Sequence, residues 1–297
     1  MVANYGIHAI RIQIPREVED DIIAALEHPG RVRYLGLNLT GMQLERMIPV
    51  MQDPFPVLTS LDIYLRDKYS LVLPSDFLGG CAPCLQEITF DDFPFPALPT
   101  LLSSTTDLVT LHLHNIPRDG YISPEVMVAS LVMLPRLKDL IIHFEFFCTH
   151  RNLTHPLPPP TTRAILPALT SFEFQGTGEY LEALVSPIDG SQLSRIFIEY
   201  LNDSVDLPVA EFSKFFDRSA SPGIVPTLAE VRFDRFTATF DMYRHTNRLC
   251  SDSYYPSSHL SCRDTRIHWQ LPRMARVFGQ FSAILSTIVH LKLDVPL

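Results

Sequence analysis

The sequence has no long uninterrupted hydrophobic run. Apolar segments such as Val126–Ala129 span only a few residues, far short of the roughly 20 that a membrane-spanning helix needs. Residues 1–14 also lack the basic cluster, apolar core and small-residue cleavage site of a secretory signal. We therefore expect an intracellular protein, cytoplasmic or nuclear, that makes no contact with a membrane.

Cysteines and basic residues are also few. The five cysteines repeat no spacing, which argues against a disulfide framework and favours a reducing compartment. The 24 Lys and Arg residues are scattered and outnumbered by 33 Asp and Glu, giving a formal net charge of −9. Because phosphate contacts need a concentrated basic face, nucleic-acid binding is not expected.

Motifs that position catalytic groups or phosphates are missing. The sequence contains no G-x-S-x-G, G-x-G-x-x-G, G-x-x-x-x-G-K-[ST] or H-E-x-x-H. The segment nearest to a phosphate loop, Gly176–Glu179, lacks a third glycine and a lysine, which favours a plain turn from a strand to a helix. We expect neither catalytic residues nor a cofactor, and an enzyme is the least supported class.

Two sets of residues have the chemistry of metal ligands. Cys81 and Cys84 have the C-x-x-C spacing of a redox pair or half a zinc site, but no second such pair follows, which favours packing cysteines. His112 and His114 are predicted to share one face of a strand, beside acidic residues and His143 on its neighbours. An ordinary polar surface is the favoured interpretation there, so we expect no metal site.

The main positive feature is an apolar phrase that returns along nearly the whole chain. The phrase, apolar-x-x-apolar-x-apolar, begins at Ile7, Val32, Leu58, Leu85, Leu108, Leu137, Leu169, Leu193, Leu228 and Ile288. Its starts lie 23 to 35 residues apart, except for a last gap of 60. That gap is predicted to contain a further repeat around Ile267 and Trp269. The spacing is typical of leucine-rich repeats.

Helical patterns lie between the phrases. Alternating apolar residues within each phrase predict a strand with one buried face, and stacked repeats would join these strands into a parallel sheet. Ser123-Pro124-Glu125 is a typical helix start. Helical segments are predicted at Val18–Leu26, Leu44–Met51, Val126–Leu134, Leu181–Val185, Phe212–Phe216 and Met274–Leu285. The predicted fold is α/β: an irregular leucine-rich-repeat solenoid, or horseshoe, with the parallel β-sheet on its concave face and helices on its convex face.

The repeats continue on both sides of two irregular stretches, so one domain is predicted for residues 1–297. It would contain about ten to eleven irregular repeats, with an inserted proline-rich loop near 149–163 and a polar loop or hairpin near 244–266. No polar capping unit is evident at either end, which leads us to expect that the repeat domain is truncated at both ends.

Several whole segments resemble fungal F-box-like proteins that carry irregular leucine-rich repeats, as in mushroom-forming basidiomycetes. These segments are Ile22–His28, Phe77–Gln86, Gly120–Glu125, Leu166–Thr170 and Val289–Leu293. The resemblance covers essentially the whole chain. It implies that the repeats capture a target protein for ubiquitination, while an upstream F-box docks on the Skp-type adaptor of a cullin ligase.

The sequence departs from that family at the F-box itself. The segment Ile14–Leu26 imitates the opening of an F-box first helix, but a repeat phrase begins at Val32 and leaves no room for the other helices. Binding to the adaptor and cullin is therefore expected only if an F-box is encoded upstream. A free-standing repeat scaffold, or a degenerate family member with no ligase connection, remains the alternative.

Strand alternation predicts which residues would contact the unknown target protein on the concave face. Most residues of the predicted set are polar or acidic, so a basic or polar protein would suit it, with Tyr34 and Tyr64 as aromatic anchors. The predicted contacts are Tyr34, Asn38, Asp62, Tyr64, Glu87, Asp91, His112, His114, Asp139, His143, Glu173, Gln175, Arg195, Glu199, Arg232 and Asp234.

Overall fold

The computed structural model describes residues 16–67, 71–92, 94–145, 162–190, 192–201, 210–219, 228–233, 237–243, 258–263, 279 and 290–294. Some predicted features lie outside these residues. They include the phrase at Ile7, the strand at Ile267 and Trp269, the helix Met274–Leu285 apart from residue 279, and nearly all of the loop 149–163.

Strands recur along the described chain. They are β1 Tyr34–Leu39, β2 Ser60–Leu65, β3 Glu87–Asp91, β4 Thr110–Ile116, β5 Asp139–Phe144, β6 Ala164–Ile165, β7 Ser171–Gly176, β8 Ile188–Asp189, β9 Arg195–Leu201, β10 Leu228–Phe233, β11 Thr237–Tyr243, β12 Ser258–Arg263 and β13 His290–Asp294. Each of the repeat phrases from Val32 to Leu228, and the one at Ile288, supplies one of these strands.

Helices occupy many of the connections between the strands. The α-helices are α1 Arg16–Leu26, α2 Gly41–Met47, α3 Leu98–Leu102, α4 Pro124–Leu131, α5 Gly178–Val185 and α6 Ala210–Ser219. Short 3-10 helices span Pro29–Arg31, Ile48–Met51, Phe77–Gly80 and Arg118–Gly120. None of the helices that the structure describes is long and apolar enough to cross a bilayer.

Eleven strands form one open sheet in the order β1-β2-β3-β4-β5-β7-β9-β12-β11-β10-β13. The first seven of these are parallel and follow chain order. Parallel neighbours need a crossover between them, and the helices lie in those crossovers. The described fold is therefore mixed α/β, with seven parallel strands in chain order forming one side of the sheet.

The strands leave chain order after β9, and the strand direction reverses at β11. Strand β12 pairs parallel with β9, and β11 lies antiparallel between β12 and β10. Residues 258–263, which fall in the predicted loop or hairpin near 244–266, thus form a strand within the sheet. The outermost strand β13 pairs parallel with β10.

One face of the parallel sheet is apolar and buried. Register pairing joins one residue from each of the seven strands into a row: Leu37, Ile63, Phe90, Leu113, Ile142, Phe174 and Ile198. Each member of this row is at most 4% exposed. A side-chain period of two places every second residue of a strand on the same face, so the phrase that repeats in the sequence becomes a continuous core.

Helices α2 to α6 cover this core with apolar side chains. Residues such as Leu44, Leu131 and Leu184 are fully buried, and the ring of Phe215 on α6 meets Phe172 on β7 edge-on at 5.8 Å between centroids. Consecutive helices α3, α4, α5 and α6 also contact one another. The helices and the sheet therefore enclose one continuous hydrophobic layer.

Hydroxyl side chains fix where three of these helices begin. Thr40 caps α2 in a reciprocal pairing with Gln43, and Ser123 and Thr177 accept hydrogen bonds from Val126 and Tyr180. Such caps satisfy amide groups that have no partner within the helix. The predicted helix start at Ser123 is confirmed, and Thr177 makes the segment Gly176–Glu179 a plain strand-to-helix turn.

Candidate binding face of the sheet

The opposite face of the parallel sheet carries three rows of mostly polar residues, which we call the polar face. The first row is Tyr34, Ser60, Glu87, Thr110, Asp139, Ser171 and Arg195. The second is Gly36, Asp62, Thr89, His112, Ile141, Glu173 and Phe197. The third is Asn38, Tyr64, Asp91, His114, His143, Gln175 and Glu199. Register pairing joins neighbours within each row. The exception is His114 and His143, which are not paired in register because the register shifts after Leu113.

The polar face begins with two tyrosines among carboxylates. Tyr34 is 63% exposed, and its hydroxyl donates a hydrogen bond of 3.0 Å to Oδ2 of Asp62. Partial burial, followed by that hydrogen bond and the charges of Asp62 and Glu87, raises the pKa of Tyr34. Burial and the charges of Asp62 and Asp91 likewise raise the pKa of Tyr64. Both phenols therefore stay protonated at neutral pH, as donors and aromatic surfaces.

Side-chain hydrogen bonds hold several polar groups of β1 to β3 in place. Arg66, just beyond β2, donates through Nε to Oδ1 of Asn38 at 2.7 Å. Ser60 donates to Oε2 of Glu87 at 3.2 Å. Such bonds limit the rotamers that a partner would otherwise have to order on binding.

The centre of the polar face contains a histidine cluster, which we define as His112, His114 and His143. Nδ1 of His114 lies 3.4 Å from Nδ1 of His143 on the adjacent strand. The rings of His112 and His114 meet edge-on, with centroids 5.8 Å apart. Asn115, at the bulge in β4, has a positive φ of 50° and donates to Asp91 at 2.7 Å. The bulge thus sits beside the point where the two imidazoles meet.

Two carboxylates flank the histidine cluster. Oδ2 of Asp139 lies 3.5 Å from Nε2 of His112, and Oε1 of Glu173 lies 3.1 Å from Nε2 of His143. The contact between Glu173 and His143 has the distance of an ion pair, but its geometry is not that of a hydrogen bond. Arg195 approaches the other oxygen of Glu173 at 3.8 Å. In both pairs the carboxylate lies diagonally from the imidazole, on the adjacent strand and in the adjacent row of the polar face.

These contacts lower the pKa values of His114, Asp139 and Glu173 for different reasons. Burial is the largest influence on His114 and, together with the charges of His143 and His112, lowers its pKa to about 4. Burial would raise the pKa of Asp139, but interactions with His112, Ser171 and Arg195 outweigh it and lower the pKa. The pKa of Glu173 is lowered in the same way by His143 and Arg195. At neutral pH the site therefore holds a neutral His114 between ionised carboxylates.

Among the residues that the structure describes, no group of three or more His, Cys, Asp or Glu side chains is arranged to hold a metal ion. Cys81 is partly buried and Cys84 is exposed, and neither forms a disulfide. The prediction that both cysteines are packing residues is therefore wrong for Cys84, because its side chain is exposed and only Cys81 is partly buried.

Fourteen of the sixteen predicted contacts lie in the three rows of the polar face. Register pairing through β12 and β11 carries the third row from Glu199 to Arg232 on β10, while Asp234 lies outside the described residues. Sequence reasoning missed Gly36 and Asn115. Both residue types carry a signal in the sequence. A glycine inside a strand marks a close approach, and an asparagine near a strand end marks a bulge.

Comparisons with known proteins found no matching family model, no matching curated protein and no matching solved structure.

Proposed function

We propose that this chain is an irregular leucine-rich-repeat solenoid whose polar face binds a target protein, as the recognition part of an F-box-type ubiquitin ligase receptor. The observation that carries the binding proposal is the polar face itself: three rows of mostly hydrophilic residues that cross seven parallel strands. A broad surface with many positioned donors and acceptors suits a protein more than a small molecule.

The order of the strands supports the solenoid. The sequence repeats every 23 to 35 residues, and each strand from β1 to β5 pairs with the next one along the chain. In solenoids each unit contacts its sequence neighbours, and one face of the stack is left for binding. The hairpin-like insertion of β11 and β12 would then be an irregularity within one repeat.

The charge of the polar face favours a basic partner. Asp62, Glu87, Asp91, Asp139, Glu173 and Glu199 are its acidic members. Arg195 is the single Lys or Arg in the three rows, and it already faces Glu173. Complementary charge would speed association and orient the partner, while Tyr34 offers an exposed ring that can stack on an arginine side chain.

The ligase connection is supported by the resemblance to fungal F-box-like proteins and requires an F-box outside this sequence. Helix α1 is engaged elsewhere, because Glu19 accepts hydrogen bonds from Gln43 and Arg46 of α2. These contacts fit α1 as a helix of the repeat stack, which argues against its use as the adaptor-binding helix.

The test is affinity purification of the tagged endogenous protein in wild-type and variant forms. The binding variant carries Asp62→Asn and Glu87→Gln on the polar face. The control carries Glu125→Gln and Glu179→Gln, exposed on α4 and α5, and changes the net charge by the same amount. A partner retained by wild type and control but reduced at least tenfold by the binding variant is the expected result.

The same purification tests the ligase proposal separately. Recovery of a Skp-type adaptor and a cullin by all three forms is expected, because the F-box would lie outside the polar face. A partner that depends on the polar face without adaptor or cullin would support the free-standing scaffold. Equal recovery of every partner by wild type, control and binding variant would refute the polar face as the binding surface.

A further inference from the structure

We propose that His114 and His143 form a binding site for a divalent transition-metal ion of the copper, nickel or zinc type, coordinated through the Nδ1 atoms of both imidazoles. The site goes beyond target binding and does not depend on it.

The separation of the two nitrogens carries the proposal. The two Nδ1 atoms lie 3.4 Å apart across strands β4 and β5. Two imidazole nitrogens bound to one tetrahedral ion, each about 2.0–2.1 Å from it, are about 3.3–3.4 Å apart. The backbone therefore already presents both donor atoms at a coordinating distance, so that binding would need little rearrangement.

A carboxylate orients one of the two rings. Oε1 of Glu173 lies 3.1 Å from Nε2 of His143, and an ionised carboxylate there favours the tautomer with its proton on Nε2. Metal-bound histidines usually present their second nitrogen to such a group, which fixes the ring and increases the basicity of the coordinating nitrogen. Nδ1 of His143 is then left with its lone pair directed toward His114.

The same separation fits a hydrogen bond between the two rings when no metal is bound. With the proton of His143 on Nε2, facing Glu173, the Nδ1 proton of His114 would lie between the rings. An ion would displace that proton, which moves to Nε2 of the same His114 ring, so two neutral imidazoles bind the ion with no net release of a proton.

The protein supplies two ligands in the part of the chain that the structure describes. No group of three potential ligands is found there, so water would complete the coordination shell and the ion would be exchangeable. The 3.4 Å separation matches the tetrahedral geometry of Zn²⁺. Imidazole ligands and the usual order of stability favour Cu²⁺, which in a tetragonal site would draw the two nitrogens to about 2.8 Å apart. A bound ion would also bridge β4 and β5 at the bulge beside Asn115.

The experiment uses the full chain and Cu²⁺ added in glycine buffer, which suppresses binding at single histidines. Electron paramagnetic resonance is recorded for wild type, His114→Gln, His143→Gln and the control His112→Gln, which removes the third imidazole of the cluster. One equivalent of Cu²⁺ with two equatorial imidazole nitrogens is expected in wild type and in His112→Gln, with loss of that signal in the other two variants. Glu173→Gln should retain the site with affinity lowered about tenfold.

A second measurement avoids substitutions that affect folding. Zn²⁺ is titrated into the wild-type protein labelled with ¹⁵N in its imidazoles, with the resonances assigned in the folded state. Shifts of Nδ1 in both His114 and His143 are expected. Unmoved Nδ1 resonances, or a wild-type copper spectrum equal to that of folded His114→Gln, would overturn the proposal.

Discussion

The phenol ring of Tyr34 lies across Gly36 and reaches Asp62 on the next strand. A Cβ atom added to Gly36 would approach the Tyr34 hydroxyl to 2.8 Å, and that hydroxyl donates to Asp62 at 3.0 Å. The absence of a side chain at Gly36 thus provides the space in which the tyrosine meets the carboxylate. An exposed interaction between neighbouring strands depends on a residue that contributes no functional group of its own.

Gly36→Ala is expected to separate Tyr34 from Asp62 without unfolding the protein. The clashing atoms belong to the far end of an exposed side chain, which can rotate away, so the free energy of unfolding should change by less than about 1 kcal/mol. Loss of the hydrogen bond should lower the pKa of Tyr34 toward its ordinary value. ¹³Cζ-tyrosine NMR during a pH titration measures this pKa, with Tyr34→Phe used to assign the resonance. An unchanged pKa in Gly36→Ala would contradict the interaction.

Acid should destabilise the protein first through His114. Its folded pKa of about 4 lies below the ordinary value of 6.5, so the unfolded chain binds more protons between these values. The stabilising contribution is complete above about pH 6.5 and is lost as the pH falls toward 4, by about 1–3 kcal/mol in all. Urea unfolding at several pH values, in a chelating buffer, measures the slope.

His114→Gln supplies the control for that titration. Its stability should depend less on pH between 6.5 and 4.5 than that of wild type. Asp139 and Glu173 act in a lower window, because their folded pKa values lie below 3.8 and 4.5. Their contribution is present above those ordinary values and disappears as the pH falls through the lower folded ones. Identical slopes in wild type and His114→Gln above pH 4.5 would refute the assignment.

Position within the stack of strands should determine the cost of a core truncation. Leu140 on β5 is fully buried with a strand on either side, whereas Leu35 on β1, which ends the sheet among the described strands, is 7% exposed. Leu140→Ala is expected to lower the free energy of unfolding by about 3–5 kcal/mol, and Leu35→Ala by about 2 kcal/mol. Chemical denaturation followed by circular dichroism compares the two. Equal losses would argue against graded packing across the sheet.

Glu182 links two successive helices. Its carboxylate on α5 accepts hydrogen bonds from the backbone amides of Glu211 and Phe212 at 2.7 and 2.8 Å, at the beginning of α6. Glu182→Ala should cost about 1–2 kcal/mol by leaving those amides unsatisfied. Glu179→Ala, on the exposed side of the same helix, should change stability by less than about 0.5 kcal/mol. Thermal unfolding of both variants provides the measurement, and a similar effect of each would exclude a capping role for Glu182.

The sequence predicts the rows of the sheet better than the contacts within them. Alternation assigns residues such as Leu113 to the buried face and His112 to the polar face, because a strand has a side-chain period of two. The Tyr34–Asp62 hydrogen bond and the 3.4 Å approach of His114 to His143 depend on Gly36 and on the bulge at Asn115. Alternation carries no information about either of these local distortions.

Two other features escape sequence reasoning for different reasons. Helix α3 is only five residues long and has Pro99 near its start, too short for a helical period to be visible. Strand β12 has the polar sequence SHLSCR, and its place beside β9 comes from pairing with strands distant in the chain, which local patterns cannot predict.

Strands β1 to β3, and β5 to β9, pair without register shifts. The residues in each row of the polar face are therefore regularly spaced. Neighbouring strands lie about 4.8 Å apart, so the six steps from β1 to β9 extend about 29 Å along each row. An extended peptide laid along a row advances about 3.3 Å per residue. This rise does not match the spacing of about 4.8 Å between strands, so successive side chains of the peptide would not meet successive strands. An α-helix rises about 5.4 Å per turn. Its side chains would stay nearly in phase with two or three consecutive strands, so the spacing of this face is better matched to a helical segment than to an extended one.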